Sequence, residues 1–139
     1  MSISSGRRHL EEWPARLLCS VLMLSSLLLS SCAAPVKQQP AGVLQPAQAP
    51  KQILVLEEVE VRLSTGYKTT IRPQTNWALA GTIAQGEVYK SRDQVLTVEG
   101  YDVHEAYLVV SGDELMGFYL PVEHNFAPIS PTKHLRIAR

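Results

Sequence analysis

Val103-His104-Glu105-Ala106-Tyr107-Leu108-Val109-Val110-Ser111-Gly112-Asp113-Glu114-Leu115-Met116-Gly117-Phe118-Tyr119-Leu120-Pro121-Val122 reads as two apolar runs folded about Gly112-Asp113. β-Branched and aromatic residues fill both runs, and glycine holds the first central position of a two-residue loop, where a type II′ turn needs a positive φ. Setting Ser111 opposite Glu114 places Tyr107, Val109, Met116 and Phe118 on one face. Ala106, Leu108, Val110, Leu115 and Tyr119 fall on the other. With both faces apolar, this hairpin is expected at the centre of the core.

Upstream, Val59, Val61 and Leu63 alternate with Glu58, Glu60 and Arg62, and Tyr67, Thr69 and Ile71 alternate with Lys68, Thr70 and Arg72. A loop of Ser64-Thr65-Gly66 brings Leu63 opposite Tyr67, Val61 opposite Thr69, Val59 opposite Ile71 and Glu58 opposite Arg72, all compatible pairs. A two-residue loop would instead oppose Val61 to Thr70 and Leu63 to Lys68. The longer loop is therefore predicted, with Gly66 as its left-handed residue. Val88-Tyr89 and residues 95–99 supply two more strands around the polar Ser91-Arg92-Asp93, and Gly81, Gly86 and Gly100 punctuate the meander. Pro121, Pro128 and Pro131 are expected to break up the tail, with residues 135–137 as an edge strand. No segment has the periodicity of an amphipathic helix. The fold class is all-β, a small antiparallel meander or barrel over residues 52–139.

Trp77 to Tyr89, with Gly81-Thr82-Ile83-Ala84-Gln85-Gly86-Glu87-Val88 at its centre, resembles bacterial SH3-like domains, as do Ala106-Tyr107-Leu108-Val109-Val110, Gly112 and Gly117-Phe118-Tyr119-Leu120. The resemblance implies an SH3-like barrel and the binding of peptidoglycan or a peptide. Phe118 stands where that family usually has tryptophan.

The N-terminus carries an address. Arg7, Arg8 and Arg16 precede an apolar stretch, residues 17–29, followed by Ser30 and Ser31. At about 13 residues it is shorter than the ~20 that a membrane-spanning helix needs, and its layout is that of a secretion signal. Leu29-Ser30-Ser31-Cys32 resembles the lipobox of bacterial lipoproteins. That resemblance implies cleavage between Ser31 and Cys32, a diacylglycerol thioether on Cys32, and an N-acyl chain such as palmitate on its new amino group. Several acyl chains hold a protein stably where one holds it marginally. Glu11 and Glu12 dilute the positive start. Gly6, His9 and Glu11 around Arg7-Arg8 fit twin-arginine export poorly, so the general secretory route is expected. In that family an aspartate after the cysteine favours the inner membrane; with Ala33 there, the resemblance implies the outer membrane, facing the periplasm. Cleavage removes Cys19 and lipidation caps Cys32, leaving no thiol for a disulfide or a cysteine metal site.

Residues 32–51 read as the lipidated cysteine followed by a disordered linker, with Pro35, Pro40, Pro46 and Pro50 and few large apolar side chains. Such a spacer reaches about 25 Å as a coil and about 60 Å fully extended.

Charge narrows function further. The 13 basic and 13 acidic residues balance, and removing residues 1–31 takes three of the former and two of the latter, so the mature chain stays near neutral. Without a basic stripe, nucleic acid is not an expected partner. His104, Glu105, Glu123 and His124 lie at the open end of the second hairpin, where the Ser111–Glu114 register sets His104 opposite Pro121, and four such side chains could gather around zinc. Strand alternation separates His104 from Glu105, so surface polars and no metal are expected. Glu99, Asp102 and Glu105 lack a companion nucleophile, and no catalytic residue is expected. Of Trp77, Tyr89, Tyr101, Tyr107, Phe118 and Tyr119, most should be core, with Trp77 and Tyr101 the candidate ligand-binding aromatics. The expected protein is a non-catalytic, membrane-anchored lipoprotein. It would serve as an interaction or structural component of a cell-envelope assembly, whether secretion, conjugation or wall-spanning. Its cofactors are none beyond the acyl groups, and its partners are the membrane and an envelope protein. The alternative is a peptidoglycan- or peptide-binding SH3-like module.

Overall fold

The structure is a computed structural model that describes residues 32–139; the signal segment and Ser31 lie outside the described residues. Alternating apolar residues and tight turns give thirteen strands and, among the described residues, no helix. They are β1 (Gln39–Pro40), β2 (Gln45–Pro46), β3 (Gln52–Val55), β4 (Val59–Arg62), β5 (Lys68–Ile71), β6 (Thr75–Ile83) and β7 (Gly86–Ser91). The chain continues as β8 (Thr97–Glu99), β9 (Val103–Glu105), β10 (Tyr107–Ser111), β11 (Glu114–Leu120), β12 (Asn125–His134) and β13 (Ile137–Ala138). All pairings are antiparallel, as expected of an all-β meander. Nine strands form one sheet in the order β1-β12-β11-β10-β7-β6-β3-β13, with β2 also on β6; β4-β5 and β8-β9 are separate two-stranded sheets. The large sheet stays open, so the barrel expectation is corrected to an open sheet.

The first hairpin has the predicted register: Val59 faces Ile71, Val61 faces Thr69 and Arg62 faces Lys68. The Leu63 N–H donates to the Tyr67 carbonyl at 2.8 Å, and Gly66 sits at φ 92° in the three-residue loop. In the second hairpin Ser111 faces Glu114, with Gly112 at φ 62° and Asp113 outside the positive-φ region, the type II′ arrangement.

Beyond that turn the register departs from expectation. Val110 faces Leu115 but Val109 faces Gly117, so Met116 is an extra residue, a β-bulge. One added residue swaps every later side chain to the opposite face. Phe118 therefore joins Leu108, Val110, Leu115 and Leu120 in the larger core, and Tyr119 joins Tyr107, Val109 and Met116 on the reverse side. The expected juxtaposition of His104 with Pro121 is also lost, because β9 leaves the hairpin and sets His104 opposite Val98 of β8.

The small hairpins on one side and the N-terminal segment on the other explain why the central strands are apolar on both faces. Val61, Leu63 and Ile71 from β4-β5 and Leu96 and Val98 from the β8 region close the larger core over Trp77, Tyr89, Leu108 and Phe118. Ala41 and Leu44 help cover the reverse face at Ile83, Val88, Val109, Tyr119 and Phe126. Fully burying one such large apolar side chain contributes about 1.5–3 kcal/mol.

Ala41 and Leu44 belong to the segment expected to be a disordered linker, and here the expectation is overturned. The compact unit runs Ala33–Arg139 rather than from residue 52. The Ala34 carbonyl accepts the Tyr101 N–H at 3.1 Å, β1 pairs with β12, β2 pairs with β6, and the Ala47 N–H donates to the Ala80 carbonyl at 3.1 Å. Pro40 and Pro46 sit in these edge strands, where proline is tolerated. Gly81 lets the strap pass, since a Cβ there would collide with the Gln45 carbonyl oxygen. A composition too polar to fold alone is thus ordered on a sheet already built.

The tail differs as well. Pro128 and Pro131 lie within the ten-residue β12 rather than ending it. Pairing jumps there from Gly117–Pro128 to Leu115–Lys133, so residues 129–132 bulge away from β11. The tail strand expected at residues 135–137 lies instead at Ile137–Ala138, as β13 on β3.

Candidate functional site

Cys32, the expected lipid-attachment residue, is exposed and free. Two residues on, the strap is already bonded: Ala34 meets Tyr101, and Val36 is buried in the larger core. The backbone of Ala34 and Val36 lies across Gly100, where an added Cβ would meet the Ala34 oxygen at 2.7 Å and the Val36 nitrogen at 2.9 Å.

The two candidate ligand-binding aromatics part company. Trp77 has no exposed surface; β6 turns it into the core opposite Ile53, and its Nε1–H donates to Thr75 Oγ1 at 2.9 Å. It cannot line a groove, and its place as a ligand-binding residue is withdrawn. Tyr101 is 76% exposed at the β8-β9 turn.

The zinc candidates separate into pairs. His104 Nδ1 lies 2.5 Å from Glu123 Oε1, while His124, at φ 55°, places Nδ1 3.2 Å from the Tyr119 hydroxyl. Among the described residues no three His, Cys, Asp or Glu side chains converge as a metal site would require.

Lys51, Glu87 and Tyr89 form a polar cluster that the sequence reading missed. Lys51 Nζ donates to Glu87 Oε1 at 2.6 Å and Oε2 at 2.8 Å, and the Tyr89 hydroxyl donates to Oε2 at 2.7 Å. Burial alone pushes the Glu87 carboxyl up, but the hydrogen bonds from Lys51 and Tyr89 outweigh it and leave the group below the ordinary carboxylate range. Burial first, then the bond to Glu87, raises the Tyr89 phenol. The bond to Glu87 raises the Lys51 ammonium. Every member is satisfied by another, which marks the cluster as a clasp between the strap's end and β7.

A groove of about 490 Å³ runs between the end of β4 and the outer edge of β12. Buried Val61, Leu63 and Ile129 form its floor, and Lys37, Arg62 and Lys133 stand around it. Among the described residues none of these three cations is ion-paired, whereas Lys51, Lys68, Arg136 and Arg139 each hold a carboxylate. Glu60, beside them, is bound by Lys68 at 2.6 Å; that hydrogen bond first, then the field of Arg62 and Lys133, holds its carboxyl below the usual range. Twenty-five or more positions separate the three cations in sequence, so no linear motif announces them.

The chain matches no family model, and comparison with curated proteins and with solved structures finds no match.

Proposed function

We propose that the protein is a non-catalytic lipoprotein, anchored through Cys32 to the periplasmic face of the outer membrane, that docks onto a larger cell-envelope assembly. One observation carries this reading: a segment that resembles a lipid-attachment signal ends at an exposed cysteine, two residues ahead of a strap bonded to a β unit. Anchoring confines the domain to one layer and raises its effective concentration around partners there. The groove of Lys37, Arg62 and Lys133 supports docking, because unpaired cations over an apolar floor fit an acidic polypeptide segment carrying an apolar side chain. The alternative of an aromatic groove for peptidoglycan loses Trp77 to the core.

The test is crosslinking in cells from a photoreactive residue at Ser130, in the groove, and from one at Ser111, outside it. A polypeptide adduct specific to Ser130 that disappears in Arg62→Glu/Lys133→Glu supports the reading. Adducts to glycan strands, or equal yields from both positions, would overturn it.

A further inference from the structure

Because the strap is pinned at Ala34, the covalent geometry decides what the β8-β9 turn can face. Two residues span at most about 7 Å, so lipid chains on Cys32 would keep the Gly100–Tyr101 turn close to the leaflet they occupy. A free linker would have allowed any orientation; this strap does not.

The side chains at that place are suited to a membrane interface. Tyr101 is 76% exposed and Val103 66% exposed. The neighbouring β4-β5 turn is tied to the same spot, since Thr65 Oγ1 donates to the Glu99 carbonyl at 2.7 Å and Thr65 Cγ2 would touch a Cβ on Gly100 at 3.0 Å. Tyr67, two residues further, is 43% exposed. Exposed aromatic and aliphatic side chains on linked turns leave apolar surface in water unless something covers it. Tyrosine is enriched at the headgroup level, where its ring meets the acyl boundary and its hydroxyl stays hydrated.

We propose, building on the lipidation reading, that these two turns are a membrane-contacting face, with Tyr101, Val103 and Tyr67 resting in the headgroup layer beside the acyl chains on Cys32. The contact adds a second, non-covalent attachment that fixes the orientation of the domain on the bilayer.

The test uses the mature lipoprotein purified from membranes and reconstituted in phosphatidylcholine vesicles. Mass spectrometry first establishes the lipid on Cys32; its absence overturns the anchoring reading itself. In the lipidated chain Tyr101→Cys supplies the one reactive thiol, which is labelled with an environment-sensitive dye, and Ser111→Cys at the tip of β10 carries the same dye as the control. The dye at 101 should be roughly two- to threefold brighter than at 111, and quenched by headgroup-level nitroxide lipid, as for a group moved from water into the interface. Lipid on Cys32 with equal, water-like emission at 101 and 111 overturns the face while leaving the anchor standing. A dye at Tyr67→Cys guards against insertion driven by the label: its interfacial signal should fall in the Tyr101→Ser/Val103→Ser background. A signal unchanged there would mean the anchor alone places the domain, and the proposal fails.

Discussion

Replacing Gly100 with alanine tests how the strap is held. Gly100 does not occupy the left-handed region, so alanine carries no conformational penalty and the added methyl is the whole perturbation. That methyl would stand 2.7 Å from the Ala34 oxygen and 2.9 Å from the Val36 nitrogen, both backbone atoms, so the strap must lift by about half an ångström or more to reach ordinary contact. Lifting removes the Ala34–Tyr101 hydrogen bond, worth about 1 kcal/mol, and part of the burial of Val36, worth about 1.5 kcal/mol. A local loss of about 2 kcal/mol corresponds to roughly thirtyfold faster exchange of the Tyr101 amide. Amide exchange by NMR reads this directly, and trypsin gives an independent measure because the exposed Lys37 sits on a backbone that only a detached strap frees to enter the protease. Both should change while the sheet amides of β10 and β11 keep their protection. If Tyr101 stays as protected as in the wild type and Lys37 as resistant, the strap is not held across Gly100, and the orientation argument built on it falls.

Trp77→Ala should cost about 3–5 kcal/mol in chemical denaturation, since it empties a core site; a variant of wild-type stability would return Trp77 to the surface and to the ligand-binding candidates. For Glu87 the folded carboxyl lies below its ordinary range, so its contribution is present above the unfolded pKa and is lost as pH falls through the folded value. Glu87→Gln should therefore flatten the decline in urea midpoint from about pH 5 downward, and an acid limb identical to the wild type would refute the clasp. The raised Tyr89 phenol works in the other direction: its contribution is present below the unfolded pKa and fades as alkaline pH rises through the folded one, which Tyr89→Phe should abolish. Cys32→Ala should accumulate as an uncleaved, unlipidated precursor, and its normal appearance in the outer-membrane fraction would rule out anchoring by this residue.

Local chemistry was legible wherever neighbours in sequence are neighbours in space. The Ser64-Thr65-Gly66 loop chose its register because only one pairing kept Val59, Val61 and Leu63 on one face, and Gly112 marked its turn because few residues accept that φ. The bulge at Met116 was not legible. Either register of the β11 run is apolar on both sides, so alternation could not say that Phe118 and Tyr119 exchange faces. Trp77 carries the same ambiguity, since an aromatic in a strand reads alike whether it is packed or exposed.

The sequence by itself determined an all-β chain with two specified hairpins and a segment, Leu29-Ser30-Ser31-Cys32, that resembles a lipid-attachment signal, because periodicity, turn residues and short motifs are local properties. The tertiary structure alone decided that residues 34–47 lie along the sheet, that Lys37, Arg62 and Lys133 share a groove, and that Tyr101 stands beside the start of the strap. These depend on surfaces built by distant strands. A proline-rich segment has too little apolar surface to order itself, yet a finished sheet supplies both the backbone partners and the apolar face that it lacks.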